Sequence, residues 1–326
     1  MSNYIKEISI KDIEGISIGH AQDDEAKTGV TVIHFKNGAN IGCDISGGGP
    51  ASRETPLTSP LTADNPINAV VLSGGSAFGL AASDGVMRCL EENKIGLDTE
   101  DAVIPLVVQS CIYDLEYGRS DVRPDAAMAY EACQNALKGF DDRMGNVGAG
   151  TGATVGKLYD LPQAQKAGLG IHAMQAGDLK IAAVVVLNAC GDIFDPDSGQ
   201  KIAGLLDKER KEFLDYEDEM IKMGEAAKAS AVTNTTIGCV ITNAGFDKAK
   251  MNKVASMTRS AYARCINPVG MMWDGDTIYA ASTGSVECDI SLVGSLAAKA
   301  MQKAIVKAAD SAETDEEEYR KYAHIE

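Results

Sequence analysis

Residues 229–244, ASAVTNTTIGCVITNA, lead from a polar segment directly into an apolar run whose β-branched residues predict a buried strand over 237–241. A hydroxyl residue, Thr235, stands just before that strand and directly after Asn234. If the chain were cut between them, Thr235 would carry a nucleophile and a base together, because its Oγ could attack while its own α-amine, with a reference pKa of ~8, takes the proton. Alternatively, Thr235 and Thr236 are ordinary β-branched residues that begin a strand.

The segments on both sides of this junction predict a layered α/β domain. Residues 207–229 are charged and predict an exposed linker, helical or mobile, that tolerates a break in the chain. Helices are predicted over 248–264 and 290–309. Strands are predicted over 5–18, 29–35, 68–73, 102–110, 168–174 and 179–188. Because no convincing linker separates independent cores, we expect a single domain over residues 1–326.

The run Gly47-Gly48-Gly49 follows a predicted strand and precedes Arg53. Glycines let another group approach the backbone closely. We therefore treat Gly48 and Arg53 as candidate substrate-binding residues, with Arg53 gripping a carboxylate or a carbonyl. A structural ion pair of Arg53 with Glu54 or Asp44 is the alternative.

Two further glycine-rich segments, 73–80 and 146–157, do not fit a phosphate-binding loop. The first has neither a Walker lysine nor GxGxxG spacing, and no helical pattern follows the second. We expect the first to serve close helix packing and the shaping of a site.

Polar residues at two strand ends are candidates for chemistry. Asn188 closes an apolar strand, where its amide could donate to an oxyanion or cap a turn. Asp274 and Asp276, separated by one glycine, precede another strand. They could orient a threonine and its amine, or they could be solvated acids of a hairpin turn.

The composition disfavours several classes of function. The 326 residues are 45% hydrophobic, and 30 basic against 47 acidic residues give a net charge of −17. This charge disfavours nucleic acid and anionic membranes as partners. Residues 1–12 contain no signal-peptide core and no apolar run is long enough to span a bilayer, so we expect a cytoplasmic protein.

Cysteines and histidines show no metal-binding pattern. The eight cysteines occur singly, without a CxxC pair, and predict reduced core residues. The four histidines, His20, His34, His172 and His324, favour structural or solvent-facing roles over a Ser-His-Asp mechanism or a zinc site. We expect neither a cofactor nor a metal.

Several motifs in one order resemble the self-processing L-aminopeptidase/D-esterases, a family that includes β-peptidyl aminopeptidases and endo-type nylon-oligomer hydrolases. The motifs are GGGP at 47–50, RET at 53–55, LSGGSAFGL at 72–80, RPD at 123–125, GAGTGA at 148–153 and NTT at 234–236. The resemblance covers nearly the whole chain. It implies a four-layer αββα sandwich that resembles N-terminal-nucleophile hydrolases in architecture but differs in connectivity.

The resemblance also implies where the chain is cut. The family precursor is cleaved directly before a Ser or Thr, which becomes the nucleophile of the smaller subunit. Here that bond lies between Asn234 and Thr235, and the subunits would be residues 1–234 and 235–326.

The nylon-oligomer branch places a Lys, an Asn and an Asp-Gly-Asp pair around a Thr nucleophile. Tyr113 resembles the family's site tyrosine, in a looser local match, and is a candidate for substrate binding. The catalytic residues implied by the resemblance are Thr235, Lys157, Asn188, Asp274 and Asp276.

The implied activity is hydrolysis of peptide or amide-oligomer substrates through an acyl-enzyme on Thr235. Asn188 would stabilise the oxyanion, and Lys157 would keep the Thr235 amine neutral or orient its Oγ. The Thr235 amine, or the Asp276 carboxylate through it, would accept the hydroxyl proton.

Alternatives from other classes are an acyltransferase of the ornithine acetyltransferase type and a non-cleaving binding protein on the same scaffold. Exo and endo cleavage both stay open, as does the choice of Asp114, Glu116 or another acid as the partner of a substrate amine. By resemblance we expect a homo-oligomer, a tetramer of cleaved protomers.

Overall fold

The structure, a computed structural model, describes residues 4–225 and 234–325. The part of the junction segment that precedes Asn234 lies outside the described residues, as does the end of the predicted linker 207–229. The described part of that linker ends in a helix, Tyr216–Glu225.

Most predicted elements are present. The helices of the described residues are α1 (Ala82–Glu92), α2 (Ala126–Lys138), α3 (Tyr216–Glu225), α4 (Lys248–Cys265), α5 (Ile290–Asp310) and α6 (Glu316–Tyr322). The strands are β1 (Lys6–Ile8), β2 (Ile16–Asp23), β3 (Thr28–Ile45), β4 (Ser52–Arg53), β5 (Ile67–Ser73), β6 (Leu97–Asp98), β7 (Val103–Ile104), β8 (Val107–Cys111), β9 (Thr154–Val155), β10 (Gln165–Lys166), β11 (Leu169–Ala176), β12 (Leu179–Val186), β13 (Asp192–Phe194), β14 (Lys201–Ala203), β15 (Ile237–Ala244), β16 (Ile266–Asn267) and β17 (Thr277–Val286). The prediction of one strand over 102–110 is wrong, because Pro105 interrupts it between β7 and β8. The prediction of one strand over 5–18 is also wrong, because a turn of 3₁₀ helix at Ile10–Asp12 separates β1 from β2.

The large sheet has the strand order β1-β11-β12-β15-β17-β3-β5-β8-β4, with β2 also paired to β3. Strand β3 is 18 residues long and belongs to both halves of this sheet. Its first part pairs with β2 and β5, whereas its last residues, 40–45, pair with β17. The sequence predicted that this strand ends at Phe35, but the change of partner carries it ten residues further.

The two halves of the sheet pack face to face, with helices on both outer sides. Ile33 and Leu72 from one half share a core with Val184 and Ile241 from the other. Alternate residues of β12, such as Val185, point instead towards α4 and α5. Helices α1 and α2 cover the outer face of the other half. This arrangement confirms the four-layer αββα sandwich.

Most of the cysteines and histidines are buried, as predicted for residues with structural roles. All eight cysteines are free and at least partly buried. Burial lowers the pKa of His20 and His34 to about 4. No helix of the described ranges is long and apolar enough to cross a membrane. Within the same ranges, no group of three or more His, Cys, Asp or Glu side chains could hold a metal ion.

Candidate active site

The junction residues lie at the centre of the large sheet, because the strands that follow them are neighbours. Strands β15 and β17 run parallel with Ile237 opposite Thr277. The segments that precede these two strands therefore lie side by side, and Asn234 forms a parallel bridge with Asp274. The fold thus brings Thr235 next to the predicted Asp-Gly-Asp turn.

The bond between Asn234 and Thr235 is surrounded by short polar contacts. The Thr235 Oγ1 donates to the carbonyl oxygen of Asn234 at 2.5 Å. The same carbonyl oxygen accepts from the main-chain N–H of Gly275 at 2.8 Å, and the Thr235 N–H donates to the main-chain oxygen of Asn188 at 3.1 Å. The carbonyl of the Asn234–Thr235 bond is thus polarised by a fixed N–H donor.

Asp276 is held beneath this junction by main-chain donors. Its Oδ1 accepts from the N–H of Thr236 at 2.7 Å, and its Oδ2 accepts from the N–H of Gly270 at 3.1 Å. Burial and, to a smaller extent, the neighbouring Asp274 together raise the pKa of the Asp276 carboxyl to about 7. A carboxyl with such a pKa can accept and release a proton near neutral pH.

Of the two carboxylate oxygens of Asp274, one accepts a hydrogen bond within the described residues and the other does not. Its Oδ2 accepts from the N–H of Met271 at 2.8 Å. Its Oδ1 is buried and has no hydrogen-bond partner within the described residues. Burial raises the pKa of this carboxyl, and Lys157 partly opposes that effect.

Lys157 and Asn188 form one unit behind Thr235. The ammonium of Lys157 donates to Asn188 Oδ1 at 2.9 Å and to its main-chain oxygen at 3.2 Å. The side-chain amide of Asn188 donates in turn to the main-chain oxygen of Tyr113 at 2.8 Å. The main-chain oxygen of Asn188 is therefore shared by the Lys157 ammonium and the Thr235 N–H. Burial lowers the pKa of Lys157 to about 8.

The run Gly47-Gly48-Gly49 supports the Asp-Gly-Asp turn from behind. The Gly48 N–H donates to the main-chain oxygen of Met271, and the Gly49 N–H donates to that of Asp274 at 2.8 Å. A Cβ at Gly48 would lie 2.5 Å from the main-chain oxygen of Met272. Glycine is required here because the two backbones touch. Direct contact of Gly48 with substrate stays a prediction.

Arg53 makes its contacts elsewhere. Its guanidinium donates to Asp84 Oδ1 at 2.7 Å and to the main-chain oxygen of Leu80 at 3.3 Å. The predicted ion pair with Glu54 or Asp44 is wrong, because the pairing of β4 with β8 places Arg53 over the first turn of α1. Substrate binding by Arg53 stays a prediction.

Asp114 is engaged by both glycine-rich segments, 73–80 and 146–157. Its carboxylate accepts from the N–H of Gly75 and from the hydroxyl of Thr28, both at 2.7 Å. A Cβ at Gly152 would lie 2.8 Å from the Cβ of Asp114. These contacts give Asp114 a packing role between two glycine turns. Glu116, by contrast, is exposed.

Sequence reasoning missed the main-chain groups of this site. Gly275 contributes its N–H to the Asn234 carbonyl, and the main-chain oxygen of Trp273 accepts from the Asn234 N–H at 3.4 Å. A Cβ at Gly275 would lie 2.7 Å from Thr235 Oγ1. The glycine between the two acids was the available signal, since only a residue without a side chain fits beside the hydroxyl.

Solved structures share this architecture. The L-aminopeptidase D-Ala-esterase/amidase from Ochrobactrum anthropi, described as a new variant of the Ntn hydrolase fold, gives a TM-score of 0.70 at 17% identity and covers 97% of this chain and 93% of its own. A β-aminopeptidase from Burkholderia sp. gives 0.66 at 19% identity, covering 92% and 85%.

Relatives in sequence point the same way. An uncharacterized aminopeptidase of Mycobacterium leprae is 37% identical over 299 residues, 86% of this chain and 79% of that protein. A 6-aminohexanoate-oligomer endohydrolase of Kocuria sp. is 30% identical over 316 residues, 91% of this chain and 85% of that protein.

Fold and relatives together define an amide-bond hydrolase with the N-terminal-nucleophile architecture. More specifically, the pattern of Peptidase family S58 matches residues 9–320, and the chain belongs to that family. The resemblance drawn from the sequence motifs is thereby confirmed.

Proposed function

We propose that the chain cuts its own bond between Asn234 and Thr235, and that Thr235 then hydrolyses amide bonds of peptides or amide oligomers. The observation that carries this proposal is the junction itself. Thr235 Oγ1 lies 2.5 Å from the Asn234 carbonyl oxygen, and that oxygen already accepts from the Gly275 N–H. Nucleophile and oxyanion donor are therefore both in place.

The self-cleavage that we propose has two steps. Thr235 Oγ1 attacks the Asn234 carbonyl carbon, and its proton passes to Asp276 while the Gly275 N–H holds the developing oxyanion. The bond from that carbon to the Thr235 nitrogen then breaks, the nitrogen takes the proton, and an ester remains. Water hydrolyses the ester, which leaves an Asn234 carboxylate and a free Thr235 with both hydroxyl and amine.

The mature enzyme would use the same groups for a second reaction. The Thr235 nitrogen, which would become the amine, lies 3.1 Å from the main-chain oxygen of Asn188. The Lys157 ammonium also donates to that oxygen. A neighbouring positive charge disfavours protonation of the amine, so the amine stays available as a base for Oγ1. Asn188 is our proposed oxyanion donor for substrate, with one side-chain N–H already given to Tyr113.

Thr235 fits the role of nucleophile better than its neighbour Thr236. The Thr236 N–H is bound by Asp276, and its hydroxyl is buried without a hydrogen-bond partner within the described residues. Only the hydroxyl of Thr235 contacts the carbonyl of the preceding residue. The peptide bond between Asn234 and Thr235 is therefore our one proposed cleavage site, giving subunits 1–234 and 235–326.

The test compares wild type with Thr235→Ala, Thr235→Ser and the matched control Thr236→Ala on a denaturing gel with intact mass. We expect wild type, Thr235→Ser and Thr236→Ala to give two chains, and Thr235→Ala to stay whole and inactive on aminoacyl p-nitroanilides. A Thr235→Ala chain that still splits would contradict the proposal. Acyl transfer from acetylornithine to glutamate, assayed with the cleaved protein, would instead support the acyltransferase alternative.

The assembly and compartment of the enzyme are further parts of the proposal. A homo-oligomer, a tetramer of cleaved protomers, is supported by the family resemblance. A cytoplasmic location is supported by the eight free cysteines, since thiols persist in reducing compartments. Light scattering of the purified protein tests the assembly, and a monomer would contradict it.

A further inference from the structure

A second cavity, of about 610 Å³, is bounded by helix α5 and by the edge of the large sheet that β1 and β11 form. Three lysines of α5, Glu7 of β1, and His172 and Met174 of β11 are among the side chains that line it. Within the described residues, none of its lining belongs to the candidate active site. Its volume is that of a site for a small molecule.

The three lysines form one row along the cavity. Lys299, Lys303 and Lys307 are spaced by four residues, which places them on one face of α5. Lys303 donates to Asp197 Oδ2 at 2.6 Å. Lys307 donates to Glu7 Oε1, also at 2.6 Å. Lys299 forms no ion pair within the described residues, so its positive charge is available to a ligand.

The rest of the lining is mixed in character. Asp310, the last residue of α5, is exposed and follows Lys299 by eleven residues. At 1.5 Å per residue it lies about 16 Å from Lys299 along the helix axis. The side chains of Ile5, Met174 and Val306 add apolar surface. A ligand in the cavity would therefore meet an uncompensated positive charge and hydrocarbon together.

His172 adds a polar atom that the protein leaves without a hydrogen bond. The residue is 6% exposed, and its Nδ1 is buried with no hydrogen-bond partner within the described residues. Glu7 Oε1 lies 3.5 Å from this nitrogen but accepts from Lys307. Burial and, to a smaller extent, the three lysines lower the pKa of His172 to about 4, although Glu7 opposes them. The neutral imidazole can carry its one proton on Nδ1 and donate it to an anion.

We propose that this cavity binds a small organic carboxylate with an apolar body, held by Lys299 and by Nδ1 of His172. The body would lie along Ile5, Met174 and Val306, where its burial removes hydrocarbon from water. An inorganic anion would leave that apolar surface unused, and an organic cation would be repelled by the lysine row. The site is separate from the candidate active site, and the inference does not depend on the proposed function.

The test is isothermal titration calorimetry of the purified wild-type protein with four probes: octanoate, octan-1-ol, octylammonium and inorganic phosphate. We expect octanoate to bind one site per chain, about tenfold more tightly than any other probe, because only octanoate joins a carboxylate for the charged hydrogen bonds to an apolar chain. Absence of saturable octanoate binding, or equally tight binding of any other probe, would overturn the proposal.

Variants test where octanoate binds. We expect Lys299→Met, which breaks no ion pair within the described residues, to bind octanoate about tenfold more weakly. The matched control Lys253→Met removes the same charge from an exposed lysine of α4 outside the cavity and should bind like wild type. His172→Phe should weaken the binding of octanoate but not that of octan-1-ol. Wild-type affinity in Lys299→Met, or an equal loss in Lys253→Met, would overturn this site, whatever the rate of p-nitroanilide hydrolysis.

Discussion

Lys157 and Lys166 are two buried lysines only nine positions apart, yet their surroundings differ. Lys157 donates to the side chain and main chain of Asn188, beside the Thr235 junction. Lys166 donates to three main-chain oxygens, those of Gly150, Ala153 and Ala167. Burial lowers the pKa of both ammonium groups, to about 8 and about 7.

The difference lies in what each ammonium holds in place. All three N–H donors of Lys166 are used by backbone that connects glycine-rich turns, which is a packing role. Lys157 instead binds the residue whose main-chain oxygen holds the Thr235 N–H. Burial and a lowered pKa are therefore common to both lysines, and only the connection to the Asn234–Thr235 bond separates a catalytic candidate from a structural residue.

The comparison is tested most strongly by replacing each lysine with methionine. We expect Lys157→Met to slow self-cleavage about 100-fold, because Asn188 loses the donor that fixes it beside Thr235. The matched control Lys166→Met should cleave at close to the wild-type rate per folded molecule. The rate is followed by gel on pulse-labelled chains from cell-free translation. Equal rates for the two variants would remove the distinction between the lysines.

For the stability of the folded chain, we expect Lys166→Met to have a larger effect than Lys157→Met. At pH 9, Lys166→Met should lower the free energy of unfolding by about 2 kcal/mol, because buried carbonyl oxygens lose their donor. The measurement is urea unfolding of uncleaved chains, with Thr235→Ala as the common background. A Lys166→Met chain as stable as its parent would show that the hydrogen bonds of Lys166 contribute nothing net.

The pH dependence of self-cleavage tests the proposed role of the Asp276 carboxyl as proton acceptor. The pKa of Asp276 is raised to about 7, so its proton-accepting form increases as the pH rises through that value. We expect the rate at pH 6 to be about a tenth of that at pH 8, and this slope to vanish in Asp276→Asn. A wild-type rate that falls between pH 6 and pH 8 would contradict the role given to Asp276.

The smallest effect concerns how the stability contributed by Lys166 changes with pH. Its folded pKa of about 7 lies below its unfolded value of ~10.4, so the unfolded chain binds more protons between these values. The stabilising contribution of Lys166 is therefore fully present above the unfolded pKa and is lost as the pH falls towards 7. The loss of stability in Lys166→Met should accordingly be smaller at pH 7 than at pH 9. A constant difference would indicate that this lysine titrates normally.

Much of the fold could be predicted from the sequence because its patterns are local. The strand after Thr235 and the helices over 248–264 and 290–309 follow from apolar periodicity. The long course of β3 could not be predicted, since polar residues interrupt its middle and the strand continues only by changing partners. The pairing of Arg53 with Asp84 likewise depends on which strand carries Arg53 over α1.

The site divides in a similar way. Thr235 and Asn188 could be named as candidates from their residue types and positions, and Lys157 from the family resemblance, and the structure brings these three together. The main-chain contributions of Trp273 and Gly275 could not be named, because backbone donors and acceptors leave no mark on residue identity. They depend on the parallel pairing of β15 with β17.

The central claim is the identity of one peptide bond, and N-terminal sequencing of the smaller subunit tests it most directly. The account predicts a single sequence that begins Thr235-Thr236-Ile237, from a fragment with the mass of residues 235–326. A fragment that begins at Thr236, or a wild-type protein that stays a single chain of 326 residues after prolonged incubation, would contradict it.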